Sequence, residues 1–266
     1  MSLTSKVLRH ALTRPPRHRV APHKDGVAEL LVPRGASPSE PHPVAVVVHG
    51  GYWRTQFGSL VMRPLAADLA RHGWATWNVE YGRIGRGGRG GWPTTFSDLA
   101  TAIDHLAHLE DARVDLGRVV AVGHSAGGQL ALWAGGRHEL PARAPGVDPA
   151  VRIRHVVALA PVTNMVRAGA PAAAVLGGTI EDVPDRFEQA DPSRRIPLGV
   201  PVTVVHPEHD ETVPARRSRE YVETARAAGA DIELLVPPGG HRDVIDPGHA
   251  AWHAARERLT QLRRTL

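Results

Sequence analysis

Cysteine is absent from all 266 residues, which excludes disulfides, thiolate metal sites and a cysteine nucleophile. No apolar run approaches the ~18–20 residues of a membrane-spanning helix, so no membrane partner is expected. Lysine is confined to Lys6 and Lys24, and the rest of the basic side of the net charge of +5 is arginine. Aromatic residues make up 5% of the chain, and none interleaves with a basic run as a nucleic-acid face requires. The scattered arginines therefore read as compositional bias, and no nucleic-acid partner is expected. No G-x-G-x-x-G follows a first strand, and no Lys-Ser/Thr pair follows a glycine loop, so no cofactor is expected. Residues 1–25 lack a signal-peptide core: Val7-Leu8 is broken by Arg9-His10, and Arg14 to Arg19 is basic and proline-rich. A basic N-terminal extension and a cytoplasmic location are the expectations that follow.

At 42% hydrophobic and 22% charged, the chain has the composition of an ordinary globular protein. Short apolar runs alternate with helical patterns, the signature of a mostly parallel sheet covered on both faces. Val44 to Val48 reads as a strand buried on both sides. A helix over 59–72, a strand over 74–80 and a helix over 93–110 follow. Thr95 and Asp98 are spaced like a capping box there, and Leu99, Ile103 and Leu106 share a face. Strands are expected at 118–122, 154–160, 201–206 and 231–236, with helices at 126–136, near 214–228 and at 248–265. Two stretches break this rhythm. Residues 161–200 read as a lid-like insertion, and 82–91 (GRIGRGGRGG) as a mobile surface loop. With no internal repeat, residues 1–266 are expected to form one domain.

The sharpest chemical signal is Gly123-His124-Ser125-Ala126-Gly127 between a strand and a helix. A turn that tight holds a serine in a strained conformation, with its hydroxyl beside a helix N-terminus. Such a serine suits nucleophilic attack that generates an oxyanion. His49-Gly50-Gly51-Tyr52-Trp53 follows the first buried strand, and its glycines let backbone N–H groups reach a reacting oxygen alongside Ala126 N–H. A serine needs a base and an orienting acid, in the order acid then histidine. Asp210 is the candidate acid, with Glu208 and Glu211 as competitors. His241 is the candidate base, with His249 as runner-up. The pairs His105/His108 and His249/His253 have helix-face spacing but lack the Glu of H-E-x-x-H and a third ligand, so no metal is expected.

From about residue 25 onward the chain resembles the α/β-hydrolase superfamily. H-G-G-Y-W (49–53) paired with G-H-S-A-G-G (123–128) is similar to the kynurenine formamidase (arylformamidase) and carboxylesterase branch. The segments 77–81 (WNVEY) and 243–247 (DVIDP) are similar to a bacterial subgroup of it. The resemblance implies the triad Ser125, Asp210 and His241, with an oxyanion hole from the N–H groups of Gly51, Tyr52 and Ala126. Gly128-Gln129, the H-P-E-H-D loop and Arg242 after His241 depart from the branch's pattern around the pocket.

These readings converge on an α/β-hydrolase fold with a small lid insertion and a cofactor-independent serine hydrolase. Its expected substrate is a small carboxylic ester or N-formyl arylamide, held in a pocket walled by Tyr52, Trp53, Trp92 and the 161–200 insertion. An acyltransferase or cyclase using the same acyl-enzyme, and a non-catalytic binding protein on the same fold, are the alternatives. The sequence leaves the oligomeric state open.

Overall fold

The computed structural model describes residues 3–11 and 15–266. In chain order the elements are α1 (Leu3–Ala11), β1 (Arg17–Arg19), β2 (Val27–Leu31), β3 (His42–Val48), α2 (Arg63–Arg71), β4 (Ala75–Val79) and α3 (Thr94–Asp104). Then come β5 (Val114–His124), α4 (Ala126–Gly135), β6 (His155–Leu159), α5 (Met165–Ala168), α6 (Ala170–Leu176) and α7 (Pro184–Ala190). The chain closes with β7 (Val202–Val205), α8 (Ala215–Ala227), β8 (Ile232–Leu235) and α9 (Ala250–Thr265).

All the strands join one eight-stranded sheet in the order β1-β2-β4-β3-β5-β6-β7-β8. From β4 to β8 every pairing is parallel, whereas β1 and β2 run antiparallel at one edge. Strand β3 shows why its β-branched run forms a central strand. Val44, Val46 and Val48 point into a core shared with α3, α4 and α8, while Ala45 and Val47 point into a second core under α2 and α9. The period of two sends alternate residues to opposite faces, so a strand buried on both must be apolar throughout.

The chain passes from β4, on one side of β3, to β5 on the other. The carboxyl ends of β3 and β5 therefore flank the crevice where open α/β sheets place their ligands.

Several expectations change. The expected basic extension contains α1 and β1, and β2 was missed because Glu29 interrupts its apolar run. That carboxylate is buried on the sheet, where Arg63 Nε donates to it at 2.8 Å. Thr95 and Asp98 do not cap α3: Thr95 Oγ1 donates to Gly82 O at 2.6 Å, and Asp98 accepts from Gly82 N at 2.9 Å. They anchor the 82–91 loop instead. That loop is tied down rather than loose, with Ile84 paired to the chain at Trp53 and Thr55, and Arg89 bonded to Asp98. The 161–200 stretch forms α5, α6 and α7, whose apolar side chains join the core beside α4.

Candidate active site

Ser125 stands between β5 and α4 with φ 56° and ψ −118°, a left-handed-side conformation that a side-chain-bearing residue holds only under constraint. The constraint is main chain packed on main chain. A methyl group at Gly127 would overlap the carbonyl oxygens of Val48 and His49, and one at Gly123 would overlap Gly127 O. Ser125 N donates to Leu159 O at 2.9 Å, so β6 holds the turn from the other side.

The loop after β3 presses against this elbow. A Cβ placed on Gly50 would lie 2.6 Å from His124 O and 3.0 Å from Ser125 Cβ. Gly51, Tyr52 and Trp53 all have positive φ, at 112°, 54° and 55°. No hydrogen bond among the described residues occupies the N–H of Gly51 or Tyr52. Ala126 is the first residue of α4, where an N–H has no intrahelical acceptor.

What holds this loop was not anticipated. His49 Nε2 meets Glu80 Oε1 at 2.6 Å, His49 Nδ1 meets Gly50 O at 2.7 Å, and the ring stacks on Tyr81. Glu80 also accepts from Ser59 N at 2.9 Å and lies 3.4 Å from Arg83, which in turn pairs with Asp25 at 2.7 Å. Burial alone would push the Glu80 carboxyl up, but His49 and Arg83 overcome it and hold the group down at about 2. Glu80 was visible only as part of a similar segment, because its partners lie far away in the chain.

Asp210 follows β7 and His241 follows β8. His241 Nδ1 and Asp210 Oδ2 are 2.6 Å apart, which leaves Nε2 of His241 for proton transfer. Asp210 Oδ1 accepts from the N–H groups of Thr212 and Val213, each at 2.8 Å. His206 Nε2 lies 3.1 Å from Asp210 Oδ2 and 2.8 Å from Val213 O, while its Nδ1 meets Ser218 Oγ at 2.7 Å. Burial opposes ionisation of Asp210, yet hydrogen bonds from His206, His241 and Val213 hold it well below the usual carboxylate range. His124 Nε2 donates to His241 O at 2.8 Å, and the two rings are 4.7 Å apart. Burial and the neighbouring His241 push His124 down to about 3, so its ring is neutral near pH 7. Neither His206 nor His124 carried a signal beyond its place in a strand end or an elbow motif.

The competitors are placed elsewhere. Glu208 and Glu211 are exposed, and His249 caps α9 by accepting from Ala251 N at 3.1 Å. His253 Nε2 bonds Pro247 O, and His105 stacks on Trp77. Among the described residues no group of three or more His, Asp or Glu side chains is arranged to hold a metal ion.

Ser125, His241, Gly50, Gly51 and Tyr52 line one cavity of about 570 Å³. Three expected pocket walls, Trp53, Trp92 and the 161–200 insertion, do not line it. Trp53 is 1% exposed in the core, its Nε1 donating to Gln129 Oε1 at 3.1 Å, because the left-handed turn at 51–53 swings it under the sheet's end. Trp92 packs on Phe96, and its backbone N–H donates to Val175 O at 2.7 Å. No residue of 161–200 reaches the cavity, whose apolar side comes from Phe57, Val61, Ile245 and, unexpectedly, Leu3 and Val7 of α1.

The mostly parallel sheet and its covering helices form an α/β-hydrolase fold. Esterase 2 of Thermogutta terrifontis, solved with butyrate bound, superposes with a TM-score of 0.76 at 21% identity, over 93% of this chain and 94% of that one. A carbohydrate esterase from gut microbiota gives 0.79 at 17% identity, over 93% and 95%. The chain belongs to the BD-FAE family, whose family model matches residues 30–224. Esterase LipC of Mycobacterium tuberculosis is 29% identical over 259 residues, 86% of this chain and 62% of that protein. Esterase LipQ of the same organism is 28% identical over 77% of this chain and 51% of its own length. The chain thus spans between half and two thirds of these relatives.

Proposed function

We propose that the protein is a serine carboxylesterase acting on small esters. The observation that carries the reading is the hydrogen-bonded Asp210–His241 pair sharing one cavity with a strained Ser125 at a helix N-terminus. Ser125 Oγ attacks the ester carbonyl carbon while His241 Nε2 takes its proton. Asp210 holds His241 through Nδ1 and stabilises the imidazolium that forms. The carbonyl oxygen becomes an oxyanion, received by the N–H groups of Gly51, Tyr52 and Ala126. Collapse expels the alcohol, which leaves with the proton from His241. Water, activated by the same histidine, then releases the acid from the acyl-enzyme. The steps use only side chains, backbone N–H groups and water.

The names of the relatives, LipC and LipQ among them, support an ester as substrate. Butyrate and propionate bound to the Thermogutta enzyme, and its phosphonylation by sarin, support a short acyl group and a site reactive toward phosphonates. The cavity has the size of a small-molecule site.

Intact-mass analysis after a fluorophosphonate probe tests the reading. One adduct is expected, on Ser125, and none on Ser125→Ala. An active protein that takes no adduct, or keeps its activity as Ser125→Ala, overturns it. On a substrate panel, p-nitrophenyl acetate or butyrate should be cleaved at least ~100-fold faster than the palmitate ester. N-formylkynurenine belongs on the same panel, because the H-G-G-Y-W resemblance implies a formamide. Its turnover at or above the rate of the short esters would replace the carboxylesterase reading with a formamidase.

A further inference from the structure

The cavity beside Ser125 owes one of its walls to a segment remote from the motifs. Leu3 and Val7 stand one turn apart on α1 and line the cavity together with Phe57, Val61 and Ile245. Residues four apart share a helix face, so α1 presents an apolar stripe inward. Leu3 and Val61 also pack against the buried cluster of Met62, Leu65 and Trp252, which seats the helix on the body.

Lys6 fastens the same helix. Its ammonium pairs with Asp246 Oδ1 and stands over Gly248, where a Cβ would displace it. Asp246 Oδ1 also accepts from Gly248 N at 2.9 Å. Burial works against the Asp246 charge, but Lys6 and Gly248 N–H hold the carboxyl below its ordinary value. The short turn Asp243–Ile245 connects His241 to Asp246, so α1 is fastened to the loop that carries the candidate base.

We propose that α1 is the specificity wall of the site: Leu3 and Val7 limit the length of the apolar chain an ester presents, and the Lys6–Asp246 pair holds them in place. This rests on the serine esterase reading. An apolar wall discriminates by the methylenes it excludes, and each misplaced methylene changes kcat/KM by ~10-fold or more. Shortening Leu3 and Val7 lengthens the accepted chain; enlarging Val7 shortens it. Releasing Lys6 loosens the wall without altering its surface.

The test measures kcat/KM for p-nitrophenyl acetate, butyrate and octanoate, and for ethyl, butyl and octyl acetate, so that acyl and alcohol chains are read separately. Leu3→Ala/Val7→Ala should raise the long-to-short ratio ~10-fold in at least one series. Val7→Trp should lower butyl or butyryl substrates relative to the shortest by a similar factor. Lys6→Met should shift the ratio as the double variant does. Fluorophosphonate labelling of Ser125 in every variant confirms a folded, reactive site. Ratios within about twofold of wild type in both series for Val7→Trp and Lys6→Met, with labelling intact, overturn the wall. An active wild type whose Ser125 takes no adduct overturns the esterase reading instead, and the two failures are told apart.

Discussion

Asp210 is fixed by three hydrogen bonds, from two backbone N–H groups on one oxygen and His241 on the other, with His206 Nε2 3.1 Å from that second oxygen. An acid so placed stays ionised and cannot drift from its histidine. Asp210→Asn should lower kcat by ~10³–10⁴-fold, while Glu208→Gln and Glu211→Gln, on exposed side chains, should each cost less than about tenfold. Steady-state kinetics on a short ester separates the three. Glu80 is buried against His49, and the pair lies 2.6 Å apart under the loop that carries Gly51 and Tyr52. Glu80→Gln takes a buried carboxylate acceptor from the His49 ring and from Ser59 N–H, so it should cost ~1–3 kcal/mol in urea unfolding and lower kcat as well. Ser125, Asp210 and His241 were legible because each sits in a local motif after its own strand. Glu80, His124 and His206 were not, since each acts through partners that only the folded chain brings near.

At the scale of elements, the glycine-and-arginine loop has become a buttress. Ile84 N donates to Trp53 O at 2.8 Å and Thr55 N to Ile84 O at 3.0 Å, so 82–91 backs the loop against Ser125. Composition had marked it as a free surface segment, because pattern reading counts Gly and Arg without seeing the hydrogen bonds their backbone makes. The parallel strands were readable as short apolar-rich runs that alternate with helical patterns. The antiparallel edge was not: β1 is three residues long, and β2 hides a paired glutamate in its middle. Close packing of β3 on α4 yields a sharp expectation. Gly127→Ala would set a methyl against two carbonyl oxygens of rigid backbone. It should cost ~3 kcal/mol or more by chemical denaturation and abolish fluorophosphonate labelling.

The molecule as a whole should be acid-sensitive in two stages. Burial, followed by Arg258, pushes His155 down to about 4, and burial pushes His124 down to about 3. Below pH ~6.5 the unfolded chain binds protons at these positions while the folded chain does not, so each histidine costs ~1.4 kcal/mol per pH unit until its folded value is reached. Glu80 acts lower: held at about 2, it contributes stability above its ordinary value of 4.5 that is lost as pH falls through that range. Urea midpoints should therefore decline from near pH 6, and His155→Gln should flatten the slope between pH 6.5 and 4. An unchanged slope would show that His155 titrates normally in the folded protein. The main-chain clamp at Gly123, Gly127 and Gly50 has a consequence for how such a protein can change. It fixes Ser125 with atoms that every amino acid shares, whereas the cavity is shaped by side chains from α1, 57–61 and Ile245. Reactivity and selectivity are thus inherited through separate positions. A combinatorial library at Leu3, Val7, Val61 and Ile245 should yield clones that differ widely in the esters they accept while most still take up a fluorophosphonate, a division of labour well suited to laboratory evolution.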